Sequence, residues 1–143
     1  MNELTLRAQR IAADENERLW ARTAGSKAMF ERAVHHMPMG VGSSFQAWDP
    51  YPVYLREGKG AGVVDIDGNE YLDFHNGFGC MVVGHAHPKV AEAIERAART
   101  GTHFAAPTEA TVQFAEVLCD RFGCDSVRFA NSGTEATMYA LRT

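Results

Sequence analysis

The sequence has little of what holds a secreted or membrane protein together. Three cysteines in 143 residues are too few for a disulfide-stapled scaffold, and point to a reducing, cytoplasmic compartment. No apolar run approaches the roughly 20 residues needed to span a bilayer. The opening Met1-Asn2-Glu3-Leu4-Thr5-Leu6-Arg7 lacks the basic start and continuous apolar stretch of a secretory signal. A formal net charge of −4 offers no electrostatic footprint for nucleic acid. Repeats and low-complexity tracts are missing too. What is present, 45% hydrophobic and 22% charged residues, is the composition of a folding chain rather than a disordered one.

Hydrophobic spacing divides the chain. Leu4, Ala8, Ile11 and Ala12 recur at helical intervals, so residues 2 to about 22 should form an amphipathic helix whose thin stripe needs a partner surface. A second helix should open at Gly25-Ser26, with Ser26 as N-cap, Met29, Ala33 and Met37 on one face, and Pro38 as stop. Residues 39–52 have no period. Phe45, Trp48 and Tyr51 are costly to leave in water, which predicts an ordered loop. Val53 to Phe74 then reads as a small antiparallel meander, with Asp67-Gly68 as its tight hairpin. Pro88 suits a first helical position, and Val90, Ala91, Ile94, Ala97 and Ala98 form the stripe expected to be buried. Thr108 should cap the next helix, with Val112, Ala115, Leu118, Cys119 and Phe122 in period and Gly123 as stop. Val127–Ala130 reads as a short buried strand running into Asn131-Ser132-Gly133-Thr134-Glu135-Ala136 and a helix over Thr137–Arg142.

Several chemistry-bearing patterns fail on spacing. There is no GxxxxGK[ST], and Gly58, Gly60 and Gly62 lack the third glycine of GxGxxG. Asp65-x-Asp67-x-Asn69 imitates a calcium loop, but glycine stands fourth rather than sixth and no glutamate stands twelfth. His85 and His87 lack the further ligands of a metal site. A loop pinned by histidine hydrogen bonds fits them better, and no metal is expected. Cys80, Cys119 and Cys124 follow no zinc or redox spacing, and Cys119 reads as a small core residue. Ser132 is not a nucleophile elbow, because Ala130 stands where GxSxG has glycine.

The strand–Ser-Gly-Thr–helix unit at 127–142 is the sharpest local signal. A strand that turns abruptly at glycine leaves the first N–H groups of the next helix unpaired. Ser132 and Thr134 add hydroxyls at that end, and the helix dipole favours an anion there. Spacing alone leaves two readings open, a phosphate or other anion site and a plain helix cap.

Three segments in series carry a family resemblance. Gly60-Ala61-Gly62-Val63-Val64-Asp65-Ile66-Asp67-Gly68-Asn69-Glu70-Tyr71-Leu72-Asp73-Phe74, Gly84-His85-Ala86-His87-Pro88 and Val127–Ala136 resemble class III aminotransferases, nearest the glutamate-1-semialdehyde 2,1-aminomutase branch. The resemblance implies an α/β chain forming the N-terminal part of a fold-type-I, pyridoxal 5′-phosphate-dependent transferase, a homodimer acting on small amines or amino acids and carbonyl substrates. It implies that Ser132, Gly133 and Thr134 hold the cofactor phosphate. It divides the chain into an N-terminal helix over 1–25, a small-domain segment over 26–104, and the start of the cofactor domain over 105–143.

The chemistry implied by the resemblance also needs a lysine that holds the cofactor and shuttles the proton. Lys27, Lys59 and Lys89 are the chain's lysines, and none stands at the family's catalytic position. The helix after Gly133 has no stop signal either. The expectation is an N-terminal portion of a longer enzyme, inactive alone; the rival reading from a different class is a non-catalytic fragment or interaction domain derived from this fold. On the substrate side, Ser43 stands near the branch's serine, Gln46 where its carboxylate-pairing arginine would fall, and Phe78 where its pocket tryptophan would. Glutamine cannot make the charged bidentate contact, which favours an aminotransferase with a less acidic substrate over an aminomutase. Ordinary loop packing would explain Phe45, Gln46 and Phe78 equally well.

Overall fold

A computed structural model describes residues 2–142. Contacts divide the chain into one unit up to Ile94 and a second from Glu95 onward.

In the first unit, α1 spans Glu3–Ala21, capped by the Asn2 side chain, which accepts from the Thr5 N–H at 2.9 Å. None of its residues is buried, and Leu4 and Ile11 of the stripe remain exposed. Helix α2 covers Ala24–Ala33 with Thr23, not Ser26, at the N-cap position. Ser26 lies in the first turn because its hydroxyl is used elsewhere: it donates to Asp67 Oδ2 at 3.1 Å and accepts from the Tyr54 N–H at 3.2 Å. The loop that follows is ordered by two 3-10 turns, Pro38–Gly40 and Ser44–Gln46. Of its three aromatics only Tyr51 is buried, while Phe45 and Trp48 are exposed.

Strands β1 (Leu55–Lys59), β2 (Gly62–Asp65) and β3 (Glu70–Leu72) form the antiparallel meander, in the order β1-β2-β3. Val63 pairs with Gly58 on one side and Tyr71 on the other. The hairpin between β2 and β3 is organised by Asp65, whose carboxylate accepts from Asp67 N–H (2.9 Å), Asn69 N–H (2.8 Å), Asn69 Nδ2 (2.8 Å) and the Tyr71 hydroxyl (2.8 Å). This resolves the calcium-loop mimicry, since the Asp-x-Asp-x-Asn spacing builds a turn. Its neighbour Asp67 reaches back to the start of α2, where its carboxylate accepts from the backbone N–H groups of Gly25 and Ser26. An anion at a helix N-terminus meets unpaired donors and the positive dipole end. The centre of this unit is therefore unusually polar: Thr23, Ser26 and Asp65 are fully buried beside Ala33, Val41, Tyr51 and Val63.

Helix α3 spans Pro88–Thr100, starting at the expected proline. Its apolar stripe is not buried, with Val90 and Ile94 both largely exposed. In the second unit α4 spans Glu109–Phe122, with the Thr108 side chain accepting from Thr111 N–H and Gly123 in the left-handed conformation at its end (φ 64°). Ala115, Leu118 and Cys119 are half-buried, whereas Val112 and Phe122 face solvent. Residues 127–130 form no strand among the described residues. A strand needs a partner, and here side chains anchor the segment instead. Phe129 stacks on Phe114 of α4 at 5.5 Å, and the Arg128 guanidinium lies 5.6 Å from the Tyr139 ring. Helix α5 covers Gly133–Ala140, beginning four residues before Thr137.

Much apolar side-chain surface, on α1, α3 and α4 above all, is left uncovered.

Candidate functional site

The candidate anion site begins where α4 stops. Gly123 ends that helix, residues 124–130 cross without ladder bonds, and Asn131–Ser132 bend into α5. Ser132 has extended backbone angles (φ −147°, ψ 158°), as an N-cap requires. Its hydroxyl accepts from Glu135 N–H at 3.2 Å and lies 3.3 Å from Glu135 Oε2, which also accepts the Asn131 N–H at 2.8 Å. Ser132 thus caps the helix, and the Glu135 carboxylate takes the N–H of the residue before the cap. The plain-cap reading thus describes Ser132 as it stands.

It does not exhaust the site. Among the described residues, the Gly133 N–H, the Thr134 N–H and the Thr134 hydroxyl have no hydrogen-bond partner. A Cβ added at Gly133 would meet nothing within 4 Å, so glycine leaves that N–H open to an approaching group. The two residues give onto a shallow surface continued by Thr137, Met138 and Arg142. Unpaired N–H groups, a free hydroxyl and a helix dipole converge on this end of α5, which is the donor set a phosphate needs.

The other predicted residues lie in the first unit. Ser43 precedes the Ser44–Gln46 turn, and Gln46 folds back so that its Oε1 accepts the Ser43 N–H at 3.2 Å. Its amide oxygen is thereby spent on the turn. Phe78 meets Phe45 edge to face at 4.5 Å, so the structure brings the 43–46 turn and Phe78 together. His75, which the sequence reading passed over, completes the cluster: its ring lies 4.1 Å from Phe78 and stacks with Phe45 at 6.3 Å. His75 Nδ1 accepts the Phe78 N–H at 3.2 Å. Phe78 sits at φ 59°, a conformation costly for a bulky residue and found where surroundings over-determine it. The missed signal was the run Asn76 to Gly79, all at positive φ, in which the two glycines were legible and the folding-back of the chain was not.

His85 is pinned as its spacing suggested. Its Nε2 lies 2.6 Å from Asp73 Oδ2, and its backbone exchanges two hydrogen bonds with Gly60, at 2.8 and 2.9 Å. The hydrogen bond to His85, with help from the Asn76 and His75 N–H groups, holds the Asp73 carboxyl below its usual pKa. A Cβ at Gly58 would stand 2.7 Å from His85 Cγ. His87 is not pinned the same way, since its buried Nδ1 has no partner. Among the described residues no three His, Cys, Asp or Glu side chains gather as metal ligands, and no helix is long and apolar enough to cross a membrane.

Comparison with known proteins places these features. The family model for aminotransferase class III matches residues 44–143, which includes the hairpin, the His85 loop and the Ser132–Thr134 turn. The chain belongs to the class III aminotransferase family. Glutamate-1-semialdehyde 2,1-aminomutase of Methanosphaera stadtmanae is 42% identical over 118 residues, 82% of this chain and 28% of that protein. A glutamate-1-semialdehyde aminomutase structure from Pseudomonas aeruginosa PAO1 superposes with a TM-score of 0.89 at 32% identity, covering 96% of this chain and 31% of that one. A transaminase structure with pyridoxal phosphate bound is 45% identical, with a TM-score of 0.80, over 84% of this chain and 28% of that one. The chain therefore spans little more than a quarter of the length of the relatives it matches. The fold is that of the N-terminal region of a fold-type-I enzyme, and pyridoxal phosphate is the cofactor of this class III family.

Proposed function

We propose that this chain supplies the phosphate anchor of a pyridoxal 5′-phosphate-dependent aminotransferase, which transfers an amino group between an amine or amino acid and a carbonyl acceptor. The observation that carries this reading is the open donor set at Gly133 and Thr134, within a segment that matches the family. The Gly133 and Thr134 N–H groups and the Thr134 hydroxyl would hold the phosphate, and the Ser132 hydroxyl fixes the turn that presents them. When bound, the cofactor supplies an electron sink for charge that develops at the carbon bearing the amine. None of Lys27, Lys59 and Lys89 stands at the family's Schiff-base position, so we assign that role outside this chain and expect residues 1–143 alone to be inactive. Residues 1–25, 26–104 and 105–143 serve as N-terminal helix, small-domain segment and cofactor-domain start. The working enzyme is a cytoplasmic homodimer.

On the substrate side we place Ser43, Gln46 and Phe78. The meeting of Phe78 with Phe45 and His75 supports a partly aromatic wall, and the neutral Gln46 supports a less acidic substrate. The likeness to aminomutases favours a second reading, in which the amino group returns to the same carbon skeleton. A requirement for an external amino acceptor separates the two.

Retention of the cofactor by the holoenzyme tests the anchor. Thr134→Val keeps the side chain's shape and removes only the hydroxyl, so cofactor affinity should fall about tenfold while affinity for pyridoxal, which lacks the phosphate, stays put. Thr134→Ala with Ser132→Ala should weaken retention further. Unchanged retention in both would remove the anchor role.

A further inference from the structure

Helix α4 ends in a turn that joins two thiols to which the proposed activity gives no task. Gly123 and Cys124 both donate their N–H groups to the Cys119 carbonyl, at 2.9 and 3.2 Å. With Gly123 left-handed at φ 64°, the bond from Cys124 to Cys119 is the six-to-one bond of a Schellman turn. That turn folds the residue after the glycine back against the one five positions earlier. Here both of those residues are cysteines. An N–H···O=C bond between them keeps their α carbons within the span that a disulfide bridges. All three cysteines are free; Cys80 and Cys124 are exposed, and Cys119 is half-buried on the helix. Burial, and then the hydrogen bond with the Cys124 thiol, push the Cys119 thiol above its usual pKa. Cys124 is therefore the thiol that a reagent meets first, and Cys119 the one held in reserve beside it.

We propose that Cys119 and Cys124 form a thiol-modification site, in which a low-molecular-weight disulfide of the glutathione type is captured by Cys124 and released by closure onto Cys119. In the first step the Cys124 thiolate attacks one sulfur of the reagent, forms a mixed disulfide and expels one glutathione thiolate. In the second, the Cys119 thiolate attacks the Cys124 sulfur and expels the second glutathione thiolate. The two protein thiols are oxidised, the reagent disulfide is reduced to two thiols, and their two protons pass to solvent and the leaving thiolates. Closure is fast because the turn already holds the two residues side by side through the Cys124 N–H and the Cys119 carbonyl.

The experiment equilibrates the full chain with mixtures of reduced and oxidised glutathione, blocks free thiols and maps the tryptic peptides. Arg121 lies between the two cysteines, so trypsin separates them unless a disulfide joins them. The expected product is a linked peptide pair that splits on reduction, with Cys80 carrying only glutathione or the blocking group. Cys119→Ser and Cys119→Ala should each leave Cys124 trapped as its glutathione adduct. Gly123→Ala opposes the left-handed turn and should lower the closure equilibrium about fivefold or more. A wild-type chain that accumulates the Cys124 adduct without the linked pair would overturn the proposal. So would links to Cys80 as abundant as the Cys119–Cys124 link, or closure unaffected by Gly123→Ala.

Discussion

The β2–β3 hairpin and the start of α5 use the same chemistry at different depths. In each an acidic side chain gathers backbone N–H groups: Asp65 those of Asp67 and Asn69, Glu135 that of Asn131. Asp65 is fully buried and Glu135 is half-buried beside an exposed Ser132. Around Asp65 every donor is matched, and Asp67 continues the network into α2. Around α5 the matching stops at Ser132, and Gly133 and Thr134 keep free donors. A saturated turn builds a scaffold; an unsaturated one can hold a ligand. Polar groups withdrawn from water must be paired inside, whereas exposed ones can wait for a partner.

The sharpest break in that contrast is Asp65→Ala. It removes the acceptor of two backbone N–H groups and the Tyr71 hydroxyl, and leaves the Asn69 amide only its bond to the Arg22 carbonyl; all four lost bonds are part-buried, and they converge on a group with no exposure. Unfolding free energy of the first unit should fall by about 3–5 kcal/mol, measured by urea titration followed at its aromatic residues. The amide protection of α4 and α5 should stay as in the wild type.

The same network predicts a pH dependence. Burial raises the Asp65 pKa, but the hydrogen bonds from Asn69, Tyr71 and Asp67 outweigh it and hold the carboxyl below 3.8. A depressed folded pKa means that the unfolded chain binds the proton first as pH falls. The contribution of Asp65 is therefore complete well above 3.8 and is lost as pH drops through the lower folded value. Asp73 titrates in the same direction. Acid unfolding of Asp65→Ala should show a shallower slope below pH 3.8 than the wild type; equal slopes would detach the carboxylate from stability.

Gly58→Ala is the next largest effect. Its Cβ would press on the His85 ring at 2.7 Å, and that ring is tied at Nε2 to Asp73 and its backbone to Gly60. A loss of about 1–3 kcal/mol is expected, together with faster hydrogen exchange at Gly60 and His85.

What the sequence made legible follows distance along the chain. The hairpin, the Thr108 cap and the Gly123 stop depend on residues within a few positions of one another, and their spacing was enough. The seat of Asp67 on α2 joins residues 41 and 42 apart, and no local pattern announces it. Ser26 misled for that reason: it has a cap residue's chemistry, and a distant carboxylate claims its hydroxyl. The stripes on α3 and α4 were legible as periodicity, but periodicity fixes which side chains share a face and not what covers that face. At 127–130 the apolar pattern suits a strand, while the ladder bonds that define one depend on a neighbour. The Ser132–Thr134 turn lay between these cases, because spacing located the helix start without telling a finished cap from an open one.

The smallest effect separates those two descriptions of α5. Ser132→Ala removes the hydroxyl that accepts the Glu135 N–H and should cost about 1 kcal/mol, felt as faster hydrogen exchange across Gly133–Ala140. Thr134→Val removes a hydroxyl with no partner among the described residues, so α5 should fray no faster than in the wild type. The cap and the proposed anchor would thus come apart by position, with Ser132 holding the helix start and the Thr134 hydroxyl taking no part in it. If Thr134→Val loosened α5 as much as Ser132→Ala did, the threonine would be part of the cap, and the contrast between a saturated hairpin and an unsaturated helix start would disappear.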